Sequence, residues 1–361
     1  MKSYSIAVLP GDGIGVEVTA AGVALLQALA PRLQRRFDCV EHPAGAQHYV
    51  DTGDALPAST LAACRAADAI LFGSMGLPHV RGADGTEIIP QLDLRFALDL
   101  YAGVRPIRTW PGLPVPLADA RAASIDLVLI RENTEGLFYA RGRGVTEGAG
   151  SDAVVYDTMK ISHAGTARVC DFAFEVARQR KAQGKAGHVT NVDKANVFAS
   201  MAFWRQVFVE RAQAYPEITT AHAYVDAMAL NLVMKPWQCD VLVTENKFGD
   251  ILSDLIAALV GGMGMAPSAD IGEQHALFQP AHGTAPDIAG RGIANPSAML
   301  LSVAMMLDWL AVRHADPVMA DGARAIEAAL QAAFVQRGVR PYDFGGHSDT
   351  AAVLAAVVEG L

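Results

Sequence analysis

Asp250 and Asp254 stand four residues apart in Asn246-Lys247-Phe248-Gly249-Asp250-Ile251-Leu252-Ser253-Asp254. A strand-like run, Val241-Leu242-Val243-Thr244, precedes them, and an apolar helix-like run, Leu255-Ile256-Ala257-Ala258-Leu259-Val260, follows. At this spacing two carboxylates lie one above the other on one helix face. They repel unless a cation sits between them. Hard divalent ions such as Mg²⁺ take carboxylate oxygens in this way, with water or substrate oxygens as the remaining ligands. Acids near a helix start are also favoured by the macrodipole, so spacing alone leaves a plain capping role open. Asp226, an acid inside the apolar run Tyr224-Val225-Asp226-Ala227-Met228, is a candidate third ligand.

Other residue types suited to chemistry are scattered along the chain. Arg95, Arg105 and Arg131 each sit in a mostly apolar segment. An unpaired guanidinium is costly there, so each needs an anion: a substrate carboxylate or an internal acid. Lys194, in Asn191-Val192-Asp193-Lys194-Ala195-Asn196, is either a solvated lysine at a helix start or a base whose pKa a desolvated site has lowered. Tyr139 is either packed beside Leu137 and Phe138 or able to deliver a proton to a carbanion. The small-residue loop Pro280-Ala281-His282-Gly283-Thr284-Ala285-Pro286-Asp287-Ile288 carries one acid and suits a nucleotide. An acid that reaches a ribose diol favours NAD over NADP, whose 2′-phosphate it repels.

The elements that must position these groups alternate between strand and helix, which indicates α/β layers. Ser5-Ile6-Ala7-Val8-Leu9 reads as an opening strand, broken at Pro10-Gly11-Asp12-Gly13-Ile14-Gly15 before a helix over 17–29. Those glycines fall as G-x-G-x-G, with Val16 in the position that a third fingerprint glycine needs. The G-x-G-x-x-G of a dinucleotide fingerprint is therefore broken. A tight turn bringing backbone close to a ligand is expected instead. A helix over 58–67, a buried strand over 69–72, a strand ending at Arg131 and a final helix over 350–359 follow. Asn295-Pro296 reads as a helix start with Asn at the cap and Pro in the first turn.

Composition bounds the class. With 361 residues the chain exceeds one ordinary core, so two domains are expected. A content of 52% hydrophobic and 19% charged residues excludes a disordered chain. A net charge of −9 argues against nucleic-acid binding. Cys39, Cys64, Cys170 and Cys239 form no Cys-x-x-Cys pair, so neither a zinc site nor a disulfide framework is suggested. The N-terminus lacks a charged-then-apolar leader pattern, and residues 298–310 are too short to span a bilayer. A cytoplasmic protein without membrane attachment is expected.

Taken together, residues 10–15, 94–106, 246–254 and 282–287, in that order, resemble the isocitrate/isopropylmalate dehydrogenase family of β-decarboxylating dehydrogenases. The resemblance runs end to end. It implies an α/β, isopropylmalate dehydrogenase-like two-domain fold, not a Rossmann one, with the active site in the interdomain cleft. Residues 1–100 and 261–361 would form the large, nucleotide-binding domain, and 101–260 the small substrate and dimerisation domain. The family forms homodimers with shared active sites. By resemblance, Asp250 and Asp254 bind Mg²⁺ or Mn²⁺ from one subunit, while Asp226 and Lys194 come from the other.

The same resemblance implies that Arg95, Arg105 and Arg131 grip substrate carboxylates. Lys194 would remove the 2-hydroxyl proton, and Tyr139 would protonate the enol left after CO₂ departs. The nucleotide loop carries over as His282, Gly283, Asp287, Ile288 and Asn295, with Asp343 near the adenine, and Asp287-Ile288 matches NAD-using members. Selection of the C3 substituent falls to the residues before Arg95. Gln91-Leu92 replaces the two leucines of isopropylmalate-specific members, and Ile89 replaces the serine of isocitrate-specific ones. Gln91 suits a polar substituent; Ile88, Ile89 and Leu92 suit an apolar or absent one. Isopropylmalate is the expected substrate, D-malate or tartrate the alternative, and isocitrate ranks below both. A non-catalytic regulatory subunit ranks last, since Tyr139, Lys194, Asp226, Asp250 and Asp254 are all present.

Overall fold

A computed structural model describes residues 2–361. The chain begins with β1 (Lys2–Gly11), α1 (Gly15–Leu33), β2 (Arg35–Glu41), α2 (Ala46–Thr52), α3 (Ala58–Ala66), β3 (Ala69–Ser74) and α4 (Pro90–Ala97). Then come β4 (Ala102–Arg108), β5 (Asp126–Glu132), β6 (Val145–Glu147), β7 (Val154–Tyr156), α5 (His163–Ala182), β8 (His188–Asp193) and α6 (Ala199–Ala212). After these stand β9 (Thr219–Tyr224), α7 (Val225–Met234), β10 (Val241–Thr244) and α8 (Asn246–Leu259). The last elements are β11 (Pro267–Ile271), β12 (Ala276–Pro280), α9 (Ser297–Arg313), α10 (Pro317–Val335) and α11 (Thr350–Val358).

Two compact units result. The first comprises the chain up to Leu100, Thr109–Ala123 and Ala257–Leu361; the second comprises Tyr101–Arg108 and Ser124–Ile256. Residues 109–123 fall inside the middle span by sequence yet belong to the first unit. Trp110 explains this: it is buried with its ring edge-on to Phe334 of α10 at 6.2 Å.

In the first unit β2, β1, β3 and β12 run parallel, and β11 lies antiparallel against β12. All six residues of β3 are buried, its run Ile70-Leu71-Phe72 included. A parallel strand covered on both faces has no polar side to show, which explains the unbroken apolar run. Among the described residues α1 is the one helix long and apolar enough to cross a membrane. Here Val18, Leu25, Leu26 and Leu29 bury one of its faces as it packs on β1, β2 and β3.

The second unit orders its strands β4, β5, β10, β8, β9; β4 is antiparallel to β5 and the rest are parallel. Helices α5 and α6 pack against each other and on this sheet. Phe174 stands against Phe208 and Tyr215 with ring centroids 5.2 and 4.8 Å away. Trp204 is fully buried, and its indole N–H donates to Asn191 Oδ1 at 2.6 Å, so burial leaves no orphan donor. Strands β6 and β7 form a separate antiparallel ribbon exposed at all six residues.

One local expectation is corrected. Helix α9 starts at Ser297 with Pro296, not Asn295, at the cap position; Asn295 still serves the helix end, its Oδ1 accepting from Ser297 N at 3.1 Å. The glycine turn after β1 brings backbone close to the protein's own chain. A Cβ on Gly11 would lie 2.1 Å from Ser74 O, and one on Gly13 2.0 Å from Thr284 O.

Candidate functional site

In the second unit β5 and β10 run side by side in parallel, with Arg131 opposite Thr244. The C-terminal end of β5 therefore faces the first turn of α8. Ligand groups in open α/β sheets collect at such strand ends. Glu245, immediately before α8, accepts from Lys247 N at 3.1 Å and Phe248 N at 2.8 Å. It thus caps the helix, a contribution of about 1 kcal/mol. That role is filled without Asp250 and Asp254, which stand in the second and third turns; the first turn contains no acid.

Arg131 is 3% exposed and lies across this helix start. Its Nε and Nη2 donate to Asn246 Oδ1 at 3.0 and 2.7 Å, while Nη1 pairs with Asp250. Gly249 leaves room for it, since a Cβ there would come within 2.7 Å of Arg131 Cγ. The Phe138 ring stands 5.0 Å from the guanidinium, close enough for its π-face to attract the charge. Desolvation and the Asp250 charge raise the Asp254 pKa, and Arg105 and Arg131 oppose that rise. Arg105 is buried in β4, one Nη donating to Val104 O at 3.3 Å.

The donor set on α8 fits a hard divalent cation: two carboxylate groups one turn apart, one of them already resisting ionisation beside the other. Among the described residues no group of three or more His, Cys, Asp or Glu gathers to hold a metal. Asp226 lies in the first turn of α7, with Lys194 Nζ 2.7 Å from its Oδ2. That hydrogen bond holds the Asp226 carboxyl below the usual range. The ring of Tyr224 stands 5.8 Å from the same ammonium. Tyr139 sits in a short 3₁₀ turn (Leu137–Ala140) with Arg143 3.9 Å and Lys160 5.0 Å from its ring centre.

In the first unit α4 carries Gln91, Leu92 and Arg95, and Pro90 pre-sets its first turn. Arg95 is buried, and its Nε donates to the buried Asp270 at 2.8 Å. Gln279 Nε2 also donates to Asp270, at 3.1 Å. Leu92 is buried. Gln91 Oε1 is buried without a hydrogen-bond partner, an unmet acceptor in the segment where the substrate's C3 group is expected.

The nucleotide-loop candidates gather in the same unit. His282 Nδ1 faces Gly283 O at 2.9 Å, and its Nε2 is buried with no partner. Burial pushes this imidazole's pKa down against the hydrogen bonds that favour its charged form. Asp287 is exposed and Ile288 half-buried. Asn295 Nδ2 donates to the Asp343 carboxylate at 3.1 Å, and desolvation raises the Asp343 pKa. An unmet ring nitrogen, an exposed acid and a backbone-rich loop suit a dinucleotide.

Several residues went unassigned in the sequence. Glu132 accepts from Thr134 N, Thr134 Oγ1 and Glu135 N, and desolvation still raises its pKa to about 7. Glu135 in turn accepts from Ser162 N and Oγ, and Lys160 Nζ lies 2.9 Å away. The signal was present in Glu132-Asn133-Thr134-Glu135: two acids at a strand end, too polar for a strand to continue.

A family model described as isocitrate/isopropylmalate dehydrogenase matches residues 5–357. The chain is 42% identical over 314 residues to a 3-isopropylmalate dehydrogenase from Aquifex aeolicus, covering 86% of this chain and 84% of that one. To the 3-isopropylmalate dehydrogenase of Zymomonas mobilis it is 41% identical over 362 residues, covering 99% of each. The crystal structure of isocitrate dehydrogenase from Methylococcus capsulatus superposes with a TM-score of 0.85 at 35% identity, covering 99% of both chains. A β-decarboxylating dehydrogenase from Thermococcus kodakarensis gives 0.76 at 35% identity, covering 99% of this chain and 96% of that one. The full-length match agrees with the acid pair on α8 and with the α/β fold that carries it: the chain belongs to the isocitrate/isopropylmalate dehydrogenase family and is a dehydrogenase of its β-decarboxylating type.

Proposed function

We propose that the chain uses NAD and Mg²⁺ or Mn²⁺ to oxidise a (2R)-malate-type 2-hydroxy acid at C2 and release its β-carboxylate as CO₂, with 3-isopropylmalate as substrate. The observation that carries this reading is the Asp250–Asp254 pair, freed from capping by Glu245 and set against the buried Arg131. The names of the similar curated relatives support the choice of substrate. When bound, NAD supplies the hydride acceptor, and the divalent cation supplies charge that acidifies the 2-hydroxyl and offsets the negative oxygen formed later.

This chain's residues would do the rest. Asp250 and Asp254 hold the cation, with Asp226 of a second copy as third ligand. Arg95, Arg105 and Arg131 orient the substrate carboxylates. Lys194 Nζ, from the second copy, takes the hydroxyl proton as hydride leaves C2, giving a ketone β to the remaining carboxylate. That carboxylate leaves as CO₂, its bonding pair forming the enolate, and the Tyr139 hydroxyl returns a proton to carbon. His282, Gly283, Asp287, Ile288, Asn295 and Asp343 would hold the dinucleotide, with Asp287 accepting from the ribose diol.

A homodimer supplies that second copy. Leu230, Met234 and Ile251 on α7 and α8 are 64%, 65% and 58% exposed. Bare apolar side chains at that density beside site residues suit burial against another chain.

One observation favours a second reading. Gln91 Oε1 is buried and unmet. It would pair with a hydroxyl at C3, as in tartrate, whereas beside an isopropyl group it stays unsatisfied. NADH formation with Mn²⁺ across 3-isopropylmalate, D-malate, the tartrates and isocitrate tests both. A kcat/KM at least about tenfold higher for isopropylmalate supports the first reading. Preference for tartrate replaces it with the second; preference for D-malate, which has no C3 hydroxyl, removes the first reading and the Gln91 pairing alike. Silence across the panel removes both.

A further inference from the structure

The turn after β1 ties together two segments distant in sequence. Asp12 is buried, and its carboxylate accepts from Gly76 N at 2.9 Å, Ala46 N at 2.7 Å and Gln47 N at 2.9 Å. Its own N–H donates to Ser74 O at 2.7 Å. Two residues on, Ile14 N donates to Thr284 O at 2.8 Å. Thr284 Oγ1 then donates to Gly76 O at 2.8 Å, closing a ring through Asp12, Gly76, Thr284 and Ile14. Gly76 is thus held at both ends, its N–H on Asp12 and its carbonyl on Thr284.

Substitution has almost no room here. Gly13 has φ 58°, and any Cβ on it would meet Thr284 O. Ala285, next to Thr284, is held at φ 36°, left-handed backbone that a non-glycine residue adopts only when its surroundings enforce it. Gly76 opens the loop that leads into α4, where Gln91, Leu92 and Arg95 stand. Thr284 lies two residues from His282 and three from Asp287. One buried hydroxyl-to-carbonyl bond therefore joins the candidate nucleotide loop to the candidate substrate-selecting segment.

We propose that Thr284 is a positioning residue that couples dinucleotide binding to substrate binding through Gly76. The proposal rests on the nucleotide-loop reading above. Ordering of the 282–288 loop by a dinucleotide holds the Thr284 hydroxyl on Gly76, and this fixes the start of the loop whose far end presents Gln91 and Leu92. By linkage, substrate must favour dinucleotide by the same factor.

The test compares the wild type with Thr284→Val and Thr284→Ser on the intact protein. Valine keeps the shape and removes the donor, leaving the Gly76 carbonyl unmet; serine keeps the hydroxyl. With Thr284→Val, the KM for the hydroxy acid at saturating NAD should rise about tenfold, while the Kd for NADH alone changes less than about threefold. Thr284→Ser should restore the wild-type KM. Hydrogen exchange on the wild type alone gives a measurement independent of variant folding: NADH should add protection to residues 76–89 as well as to 282–295. Protection confined to 282–295, or equal KM effects of valine and serine, overturns the coupling and leaves the nucleotide-loop reading standing. A wild type that binds no NADH overturns that reading, and the coupling with it.

Discussion

Asn246→Ala removes a side chain that accepts two hydrogen bonds from Arg131. The guanidinium is buried, and Nε and Nη2 both end on Asn246 Oδ1 at 3.0 and 2.7 Å. Bonds from a charged donor contribute roughly 1.5–3 kcal/mol each, and two that share an acceptor do not add fully. Asn246 Nδ2 also donates to Glu135 O at 3.2 Å, a weaker contact that is lost as well. A destabilisation of about 3 kcal/mol is expected from the loss of these two charge-assisted bonds, the pairing with Asp250 remaining. Urea denaturation gives the stability change from the midpoint shift at constant m. Kinetically, Arg131 would keep its pairing to Asp250 and lose its orientation, so KM for the hydroxy acid should rise at least about tenfold at fixed metal. Asn246→Asp is the control: its carboxylate still accepts from Arg131 and retains most of the stability, but places a third acid beside Asp250. A loss below about 0.5 kcal/mol with unchanged KM for Asn246→Ala would refute the claim that this asparagine sets the arginine's direction.

Further outcomes follow from other parts of the molecule. Asp250→Asn should raise the Mg²⁺ concentration for half-maximal rate at least about tenfold; retained turnover at ordinary Mg²⁺ removes Asp250 as a ligand. Asp316, buried ahead of α10, accepts from Arg35 Nε at 2.7 Å, Arg35 Nη2 at 2.9 Å and Tyr4 Oη at 2.6 Å. Arg35, chiefly by hydrogen bonding, holds its carboxyl well below the usual range. A depressed folded-state pKa contributes stability above the unfolded value and loses it as pH falls through the folded one. Asp316→Asn should therefore lower Tm by roughly 5 °C at pH 7, with the gap to wild type closing below about pH 4; a gap independent of pH contradicts the ion-pair account. Leu230→Glu with Met234→Glu, one turn apart on α7, should give a monomer by sedimentation with turnover lost. An active monomer rules out shared sites.

What could be read along the chain was local. Asp250 and Asp254 lie on one face of α8 because a helix turns every 3.6 residues, and no distant residue alters that spacing. The apolar run over 69–72 became a buried strand. The final helix expected over 350–359 appears as Thr350–Val358, with Asp349 Oδ1 accepting from Ala352 N at 2.7 Å as its cap. Several motifs in order also identified the family, and the full-length match bears that out.

Partner choice was another matter. That Arg131 meets Asn246, 115 residues away, depends on β5 and β10 pairing in register, with Arg131 opposite Thr244. A one-residue slip would turn its side chain to the opposite face, and the apolar runs of β5 and β10, buried on both faces, show no alternation that could fix that register. The capping of α8 by Glu245, the pairing of Lys194 with Asp226 and the closure of Gly76 between Asp12 and Thr284 share this origin. Local geometry decides which way a side chain points from its own helix or strand; only the packed arrangement of strands, with its buried donors and acceptors to be satisfied, decides what it finds there.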